Sequence, residues 1–166
     1  MDNYIVIGKI INTFGIKGEL KISSNFEYSD RVFKHGVEIF IGNLKSKEVI
    51  NSHRVHKGYN LTTLKGYSNI NEVLKYKGEN VYILRRDLKL NDNEYLISDL
   101  IGFEVYDENK LIGIVIDYEV NSNYVLLKVK GDKTFYIPKV DAYIKEVNIN
   151  DKRILTNKGS DLILWK

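Results

Sequence analysis

The sequence contains no cysteine, so its 166 residues can form neither a disulfide framework nor a thiolate metal site. No apolar run approaches the roughly 18 residues that a membrane-spanning helix needs, and we expect no membrane association. The first ten residues, MDNYIVIGKI, lack the basic and apolar regions of a secretory signal. Together these absences predict a soluble protein of the cytoplasm.

The residue patterns of common enzyme sites are also missing. The sequence has no Gly-x-Ser-x-Gly nucleophile motif and no Gly-x-x-x-x-Gly-Lys-Ser/Thr phosphate loop. His53 and His56 lie three positions apart on a predicted strand, so their side chains should point to opposite sides and cannot share a metal ion. We therefore expect a protein that is not an enzyme and that binds neither a metal nor a cofactor.

The charge of the chain is divided unevenly between its two halves. Hydrophobic residues make up 43% and charged residues 28%, which is typical of a globular chain. Residues 1–90 contain 15 lysines and arginines against 9 acidic residues, whereas residues 91–166 contain 10 against 13. The net charge of +3 is thus the balance of +6 in the first half and −3 in the second. This division suggests two modules with different partners, the basic one suited to phosphate backbones, although random variation of surface charge also explains it.

Short runs of β-branched and aromatic residues, separated by glycine, asparagine and aspartate, dominate the chain and predict six strands in each half. One segment breaks this pattern. Ile70, Val73 and Leu74 form an apolar stripe at helical spacing, preceded by a polar cap at Ser68 or Asn69. We expect a short helix here that buries all three apolar side chains against the end of a sheet.

A polar connector separates the two sets of strands. Residues 85–93 contain two arginines and a cluster of acids and amides, with little to bury. Many short strands at close spacing predict an all-β fold in the main, built of two tandem small β-barrels of which the first carries a short helix at about 69–77. The expected domains are residues 1–88 and 94–166, each able to fold alone.

The stretch Gly15-Ile-Lys-Gly18 carries two glycines three positions apart. Such a spacing suits a phosphate cradle, a plain hairpin turn, or a loop whose backbone approaches a large partner. A strand pattern follows it at Glu19–Ser23, so no helix N-terminus is available to bind phosphate as in a P-loop. Lys17 and Lys21 lie where they could contact phosphate groups, but ordinary solvation of both side chains is the alternative.

The basic residues of the first half are spread over several strands and turns. They lack the aromatic interleaving of a surface that stacks single-stranded bases, so contact with the backbone of folded RNA fits better than base recognition. The positions concerned are Lys9, Lys17, Lys21, Arg31, Lys34, Arg54, Lys57 and Lys65.

The sequence resembles the bacterial ribosome maturation factor RimM family. The motifs that carry the resemblance are Gly8-Lys-Ile and Gly15-Ile-Lys-Gly-Glu-Leu-Lys-Ile22 near the start, and Glu94-Tyr-Leu-Ile-Ser-Asp-Leu-Ile-Gly102 at the start of the second module. Shorter pieces at Gly113-Ile-Val-Ile-Asp117 and Ile137-Pro138 follow in the family's order. The resemblance covers nearly the whole chain and implies an N-terminal β-barrel followed by a PRC-barrel.

The same resemblance implies a function. Members of the family are non-catalytic assembly factors for the small ribosomal subunit, and the PRC-barrel binds a ribosomal protein of the subunit head. The resemblance therefore implies contacts with the immature subunit, with that protein and with ribosomal RNA, by a cytoplasmic monomer that promotes maturation and RNA processing. Where the family has two tyrosines followed by an aromatic residue, this chain has Tyr95-Leu96-Ile97, so Tyr95 and Leu96 are the expected partner-binding residues.

The same comparison gives the glycine stretch a role. Gly15, Lys17, Gly18 and Lys21 are expected to form an RNA-proximal loop, with a glycine turn needed only to close the barrel as the alternative. The family's histidine before the first glycine is Phe14 here, which argues against acid–base chemistry. A second function also stays open, because PRC-barrels occur in regulatory and small-ligand-binding modules unrelated to ribosomes.

Overall fold

The computed structural model describes residues 3–121 and 123–164. The chain is mainly β and divides into two compact units, Met1–Leu90 (unit 1) and Asn91–Lys166 (unit 2). The predicted fold class, two tandem β units with a short helix in the first, is confirmed. No helix within the described ranges is long and apolar enough to cross a membrane.

Unit 1 is a closed six-stranded barrel with strand order β1-β2-β5-β4-β3-β6. All its strand pairs are antiparallel, and the barrel closes where the last strand pairs with both the first and the third. The strands are β1 (Tyr4–Phe14), β2 (Glu19–Ser23), β3 (Glu38–Ile41), β4 (Ser46–His56), β5 (Tyr59–Leu64) and β6 (Asn80–Leu84).

Alternation along β2 shows why these residues form a barrel wall. Leu20 and Ile22 are fully buried in the barrel core, whereas Glu19 and Lys21 stand on the opposite side of the strand. The β4–β5 hairpin turns through Lys57 and Gly58, which have φ values of 50° and 81°. Two consecutive residues with positive φ form the turn type that matches the twist of a β-hairpin, which explains the glycine at this position.

Unit 1 also contains two short helices, α1 (Ser29–Val32) and α2 (Ile70–Val73). Asn69 caps α2: its side-chain oxygen accepts a hydrogen bond from the backbone N–H of Glu72, and the Glu72 carboxylate accepts from the N–H of Asn69. Of the two cap residues predicted, Ser68 and Asn69, it is Asn69 that caps the helix, in a reciprocal capping box with Glu72.

The prediction that Leu74 is buried is wrong. Its side chain is 47% exposed, while Val73 is completely buried and Ile70 is half-buried. The reason is that α2 continues as a 3₁₀ turn over Leu74–Tyr76. A 3₁₀ helix has three residues per turn, so the inward positions recur at Ile70, Val73 and Tyr76 rather than at α-helical spacing.

A shared carboxylate fastens this helical segment to the barrel wall. Glu48 of β4 accepts hydrogen bonds from the hydroxyl groups of Tyr67, at 2.6 Å, and of Tyr76. The Lys75 ammonium lies 5.3 Å and 5.1 Å from the centres of the same two rings. Burial of Tyr76, together with its hydrogen bond to Glu48, raises the pKa of the phenol.

Unit 2 is a six-stranded sheet with strand order β10-β9-β8-β7-β12-β11. The last strand of the unit, β12, pairs in parallel with its first strand, β7. Leu100, Val105, Leu127 and Ile154 are among the fully buried core residues of this unit. The strands are β7 (Glu104–Asp107), β8 (Lys110–Val120), β9 (Val125–Lys130), β10 (Thr134–Pro138), β11 (Ile144–Asn148) and β12 (Arg153–Thr156).

The predicted connector has more structure than its composition indicated. Arg85–Leu88 forms a 3₁₀ turn, and Leu88 is buried, contrary to the expectation that this segment has little to bury. Further 3₁₀ turns cover Ile97–Leu100 and Gly159–Leu164. Short 3₁₀ turns carry a weak periodicity, which explains why the sequence pattern did not predict them.

Candidate nucleic-acid interface

The Gly15–Gly18 stretch forms the connection between β1 and β2. Gly15 and Gly18 have φ values of 70° and 90°, a region that residues with a Cβ atom rarely adopt. A Cβ atom on Gly15 would meet nothing within 4 Å, but one on Gly18 would lie 3.1 Å from the carbonyl oxygen of Asn69. Gly15 therefore serves the turn alone, and the close backbone approach at Gly18 is made to Asn69 of the same chain.

The tip of this loop points away from the barrel. Lys17 is exposed, and Ile16 is 80% exposed although its backbone carbonyl is engaged. The backbone N–H of Ile70 donates to the Ile16 carbonyl at 3.0 Å, which fastens the loop to the start of α2. The sequence motif called attention to Lys17 but not to Ile16, because an isoleucine next to a strand is expected to be core.

Beside the loop, the predicted site residue Lys21 lies over an aromatic ring. Its ammonium nitrogen is 4.2 Å from the centre of the Tyr59 ring, a distance suited to cation–π attraction. Lys21 of β2 is paired with Leu61 of β5, which is paired in turn with Arg54 of β4. Directly paired residues of antiparallel strands share one side of a sheet, so Lys21 and Arg54 lie on the same side.

Arg54 is held in place by Glu19. Its Nε and Nη2 atoms donate to the two carboxylate oxygens of Glu19, each at 3.0 Å. The guanidinium lowers the pKa of Glu19, and the carboxylate raises the pKa of Arg54. The Arg54 guanidinium also lies 5.6 Å from the centre of the Phe14 ring, and that ring is 5.3 Å from the His56 ring.

We call the set of residues Phe14, Glu19, Lys21, Arg54, His56 and Tyr59 the cation–aromatic face. The basic residues of the first half were expected to lack the aromatic interleaving of a base-stacking surface, but two cations here lie over two rings. The register of β1, β2, β4 and β5 brings these side chains together. No local sequence motif could have predicted this site. A surface with this chemistry suits a ligand that combines negative charge with flat apolar groups, as a nucleic acid does.

Other basic residues of the predicted set lie elsewhere on unit 1. Arg31 and Lys34 line a separate cleft together with Asp87 and Lys89. The Arg31 guanidinium lies 4.7 Å from the centre of the Tyr28 ring. The eight predicted basic positions therefore do not form one patch, and Lys17, Lys21 and Arg54 are the ones that belong to the loop and the cation–aromatic face.

In unit 2, Tyr95 is half-buried and packs against the core. The ammonium nitrogen of Lys139 lies 5.0 Å from the centre of its ring. Ile97, the first residue of the following 3₁₀ turn, packs against the same core. Whether Tyr95 binds a partner stays a prediction, since its ring also contributes to the fold.

Leu96 is not available as the apolar contact that the sequence predicted. Its side chain is 1% exposed, so a partner cannot reach it in this conformation. Leu96 has an extended backbone and lies directly before the 3₁₀ turn over Ile97–Leu100. The Asp99 carboxylate accepts a hydrogen bond from the Leu96 N–H at 2.9 Å and fixes this turn.

The remaining histidines have structural partners. His53 stacks on Phe33 with ring centres 5.9 Å apart, and its Nε2 atom lies 2.8 Å from the side-chain oxygen of Asn60. His35 Nδ1 lies 2.6 Å from the backbone oxygen of Asn51. Within residues 3–121 and 123–164, no three histidine or acidic side chains are grouped to hold a metal ion.

A closed barrel with a cation–aromatic face, followed by a second six-stranded β unit, defines a class of two-module β proteins. Comparison with known families gives a closer assignment. The RimM N-terminal domain matches residues 5–88, and the RimM PRC barrel domain matches residues 97–162. The chain belongs to the RimM family, as the sequence motifs predicted.

Two staphylococcal relatives agree with this assignment. The ribosome maturation factor RimM of Staphylococcus haemolyticus is 40% identical over 156 residues, covering 90% of this chain and 93% of the relative. That of Staphylococcus aureus is 38% identical over 165 residues, covering 96% and 98%. A crystal structure from Pseudomonas aeruginosa, named a 16S ribosomal RNA processing protein RimM, is 19% identical with a TM-score of 0.42 and covers 96% of this chain and 99% of that one.

Proposed function

We propose that this chain is an assembly factor that binds the immature small ribosomal subunit and promotes its maturation and RNA processing without catalysing a reaction. Family membership supports the process, since relatives that are matched over almost their whole length bear the name ribosome maturation factor. The observation that carries the mode of action is the cation–aromatic face next to the Lys17 loop. This face offers positive charge and flat apolar surface to RNA.

Unit 1 is the RNA-binding module in this proposal. Lys17 and Lys21 contact phosphate groups, and Arg54, held by Glu19, supplies a third oriented cation. These contacts read the sugar–phosphate backbone and its shape rather than a base sequence, because the side chains come from separate strands and have no groove-reading helix.

Unit 2 is the protein-binding module. We propose that the surface around Tyr95 contacts a ribosomal protein of the subunit head. Residues 91–166 carry a net charge of −3, which favours a basic partner such as a ribosomal protein. The factor acts as a monomer in the cytoplasm and requires no cofactor.

Genetic depletion tests the proposed function. Deletion of the gene in its own host should cause free small subunits with unprocessed RNA ends to accumulate in sucrose gradients. The wild-type gene should restore the normal profile. A normal profile in the deletion strain, or recovery of a soluble enzyme or metabolite instead of subunit precursors on the tagged protein, would favour a regulatory PRC-barrel module.

The RNA contact has its own test. Binding of the full chain to purified small subunits should weaken as the salt concentration rises. A plot of the logarithm of the binding constant against the logarithm of the salt concentration should have a slope of about −0.7 to −0.9 for each phosphate contact. Substituting Lys17 and Lys21 by alanine should flatten the slope by one or two such increments. Lys133→Ala, an exposed lysine of unit 2, is the matched control and should leave the slope unchanged.

A further inference from the structure

Ile16 is an unusual residue for the tip of a loop. It is 80% exposed and lies between the exposed Gly15 and Lys17, so an apolar side chain and an ammonium group leave the backbone at adjacent positions. Single exposed apolar residues are common on protein surfaces, and exposure alone carries no function. The features that distinguish Ile16 are the way its loop is held and the charges beside it.

The loop is fastened at two points. The Ile70 N–H donates to the Ile16 carbonyl at 3.0 Å, and Gly18 lies against the backbone of Asn69 so closely that a Cβ atom there would be 3.1–3.4 Å from three Asn69 backbone atoms. Both contacts are made by the first residues of the capped helix. Asn69 and Ile70, at the start of this helix, therefore support the loop.

The helical segment that begins at Asn69 is also hydrogen-bonded to the barrel at its C-terminal end. The Gly78 N–H donates to the Ile10 carbonyl at 2.7 Å, and the Ile10 N–H donates to the Glu79 carbonyl at 2.9 Å. The Tyr76 hydroxyl bonds to Glu48 on the barrel wall. Since the support under the loop is tied to β1 and β4, little conformational freedom remains to be lost when the tip binds a partner.

The charges next to Ile16 narrow the kind of partner. Lys17 adjoins it, and Lys21 and Arg54 follow on the cation–aromatic face. The acid in this group, Glu19, is already engaged by Arg54 through two hydrogen bonds. A nucleotide that is not stacked in a helix combines an anionic phosphate with an apolar base face within the reach of two neighbouring side chains. A basic ribosomal protein has the wrong charge for this surface.

We propose that Ile16 packs against an unstacked nucleotide of ribosomal RNA while Lys17 contacts its phosphate, and that the Asn69–Glu72 capping box is the positioning device that presents both. This inference rests on the proposed function and deepens it. It assigns a binding role to Ile16 and a positioning role to Asn69.

The test measures binding of the full chain to protein-free small-subunit RNA at fixed salt. Ile16→Ser should lose affinity by about tenfold, as expected when an apolar anchor is removed. Leu44→Ser is the matched control, because Leu44 is 91% exposed at the turn between β3 and β4 of the same unit. It should change affinity less than twofold. Equal affinities of the two variants would overturn the role of Ile16.

The positioning role is tested by Asn69→Ala, which removes the capping oxygen, and by Asn69→Ser, which retains one. Asn69→Ala should reduce affinity by about threefold to tenfold, and Asn69→Ser should restore most of it. If Asn69→Ala lowers the melting temperature but leaves RNA affinity unchanged, Asn69 is structural only and the positioning role is wrong.

Two further outcomes separate this inference from the function on which it rests. If the wild-type chain binds neither the RNA nor the subunit, the proposed function fails and the inference with it. If wild-type binds both, but Ile16→Ser weakens binding to assembled subunits and not to protein-free RNA, the function stands and a nucleotide is the wrong partner for Ile16.

Discussion

Arg54 and Glu19 form a two-pronged ion pair across β5, with Nε and Nη2 of the arginine each 3.0 Å from a carboxylate oxygen. The pair joins β2 to β4, two strands that are not hydrogen-bonded neighbours in the barrel. It orients the Arg54 guanidinium over the Phe14 ring and makes it a defined part of the cation–aromatic face. The same ion pair thus links two strands of the barrel and fixes the position of a cation on its surface.

The ion pair predicts a pH-dependent contribution to stability. Arg54 lowers the pKa of Glu19, so the stabilisation is present above the ordinary glutamate value of about 4.3 and is lost as the pH falls through the lower, folded-state pKa. Glu19→Gln should lower the melting temperature by a few degrees or less at neutral pH. That difference should shrink below about pH 4, measured by circular dichroism across pH 3–7. A constant difference would mean that the pair does not titrate as described.

The two loop glycines should respond differently to alanine. In Gly15→Ala the only unfavourable effect is that alanine must adopt the left-handed backbone conformation. This should lower the free energy of unfolding by about 1–2 kcal/mol. Gly18→Ala meets the Asn69 backbone as well and should cost about 2–4 kcal/mol. Urea titration of both variants measures the difference. Equal costs would show that the approach to Asn69 relaxes freely.

The helical segment provides a test of its 3₁₀ geometry. Val73→Ala should destabilise unit 1 by about 2–3 kcal/mol because it opens a cavity in the core. Leu74→Ala, at an exposed position, should cost less than about 1 kcal/mol. Denaturant unfolding measures the free energy of unfolding of both variants. A larger loss for Leu74→Ala than for Val73→Ala would contradict the 3₁₀ geometry and support the α-helical spacing predicted from the sequence.

Tyr95 tests the proposed protein-binding module. Tyr95→Ala should lose about 1–3 kcal/mol of binding to small subunits if the ring anchors a partner. Tyr136→Ala, an exposed tyrosine on β10, is the control and should bind normally. Calorimetry of both variants is needed alongside, because Tyr95 packs on the core. Early unfolding with normal binding of the remaining folded protein would assign Tyr95 to the core.

The division into domains is tested by expressing residues 91–166 alone. This unit has its own buried core and its own six-stranded sheet, so we expect a β-type circular dichroism spectrum and cooperative unfolding. A disordered spectrum would show that the second unit depends on the first.

The strands could be predicted from the sequence because each records a local alternation, as in Leu20 and Ile22 between Glu19 and Lys21. The 3₁₀ turns could not, since three or four residues carry too little periodicity, and this is why Leu74 was predicted to be buried. Lys17 and Lys21 were predicted from their position next to two glycines. Arg54 and Tyr59 were not assigned to the same site, because only the register of β2, β5 and β4 brings them together.

The pairing of the first strand with the last strand in each unit has a consequence for folding during synthesis. β1 pairs with β6, and β7 pairs with β12, so each sheet needs its final strand before its first strand has both neighbours. Synthesis proceeds from the N-terminus, and unit 1 can therefore be complete while unit 2 still lacks Arg153–Thr156. The module proposed to bind RNA is then finished, and competent, while its own chain is still attached to a translating ribosome.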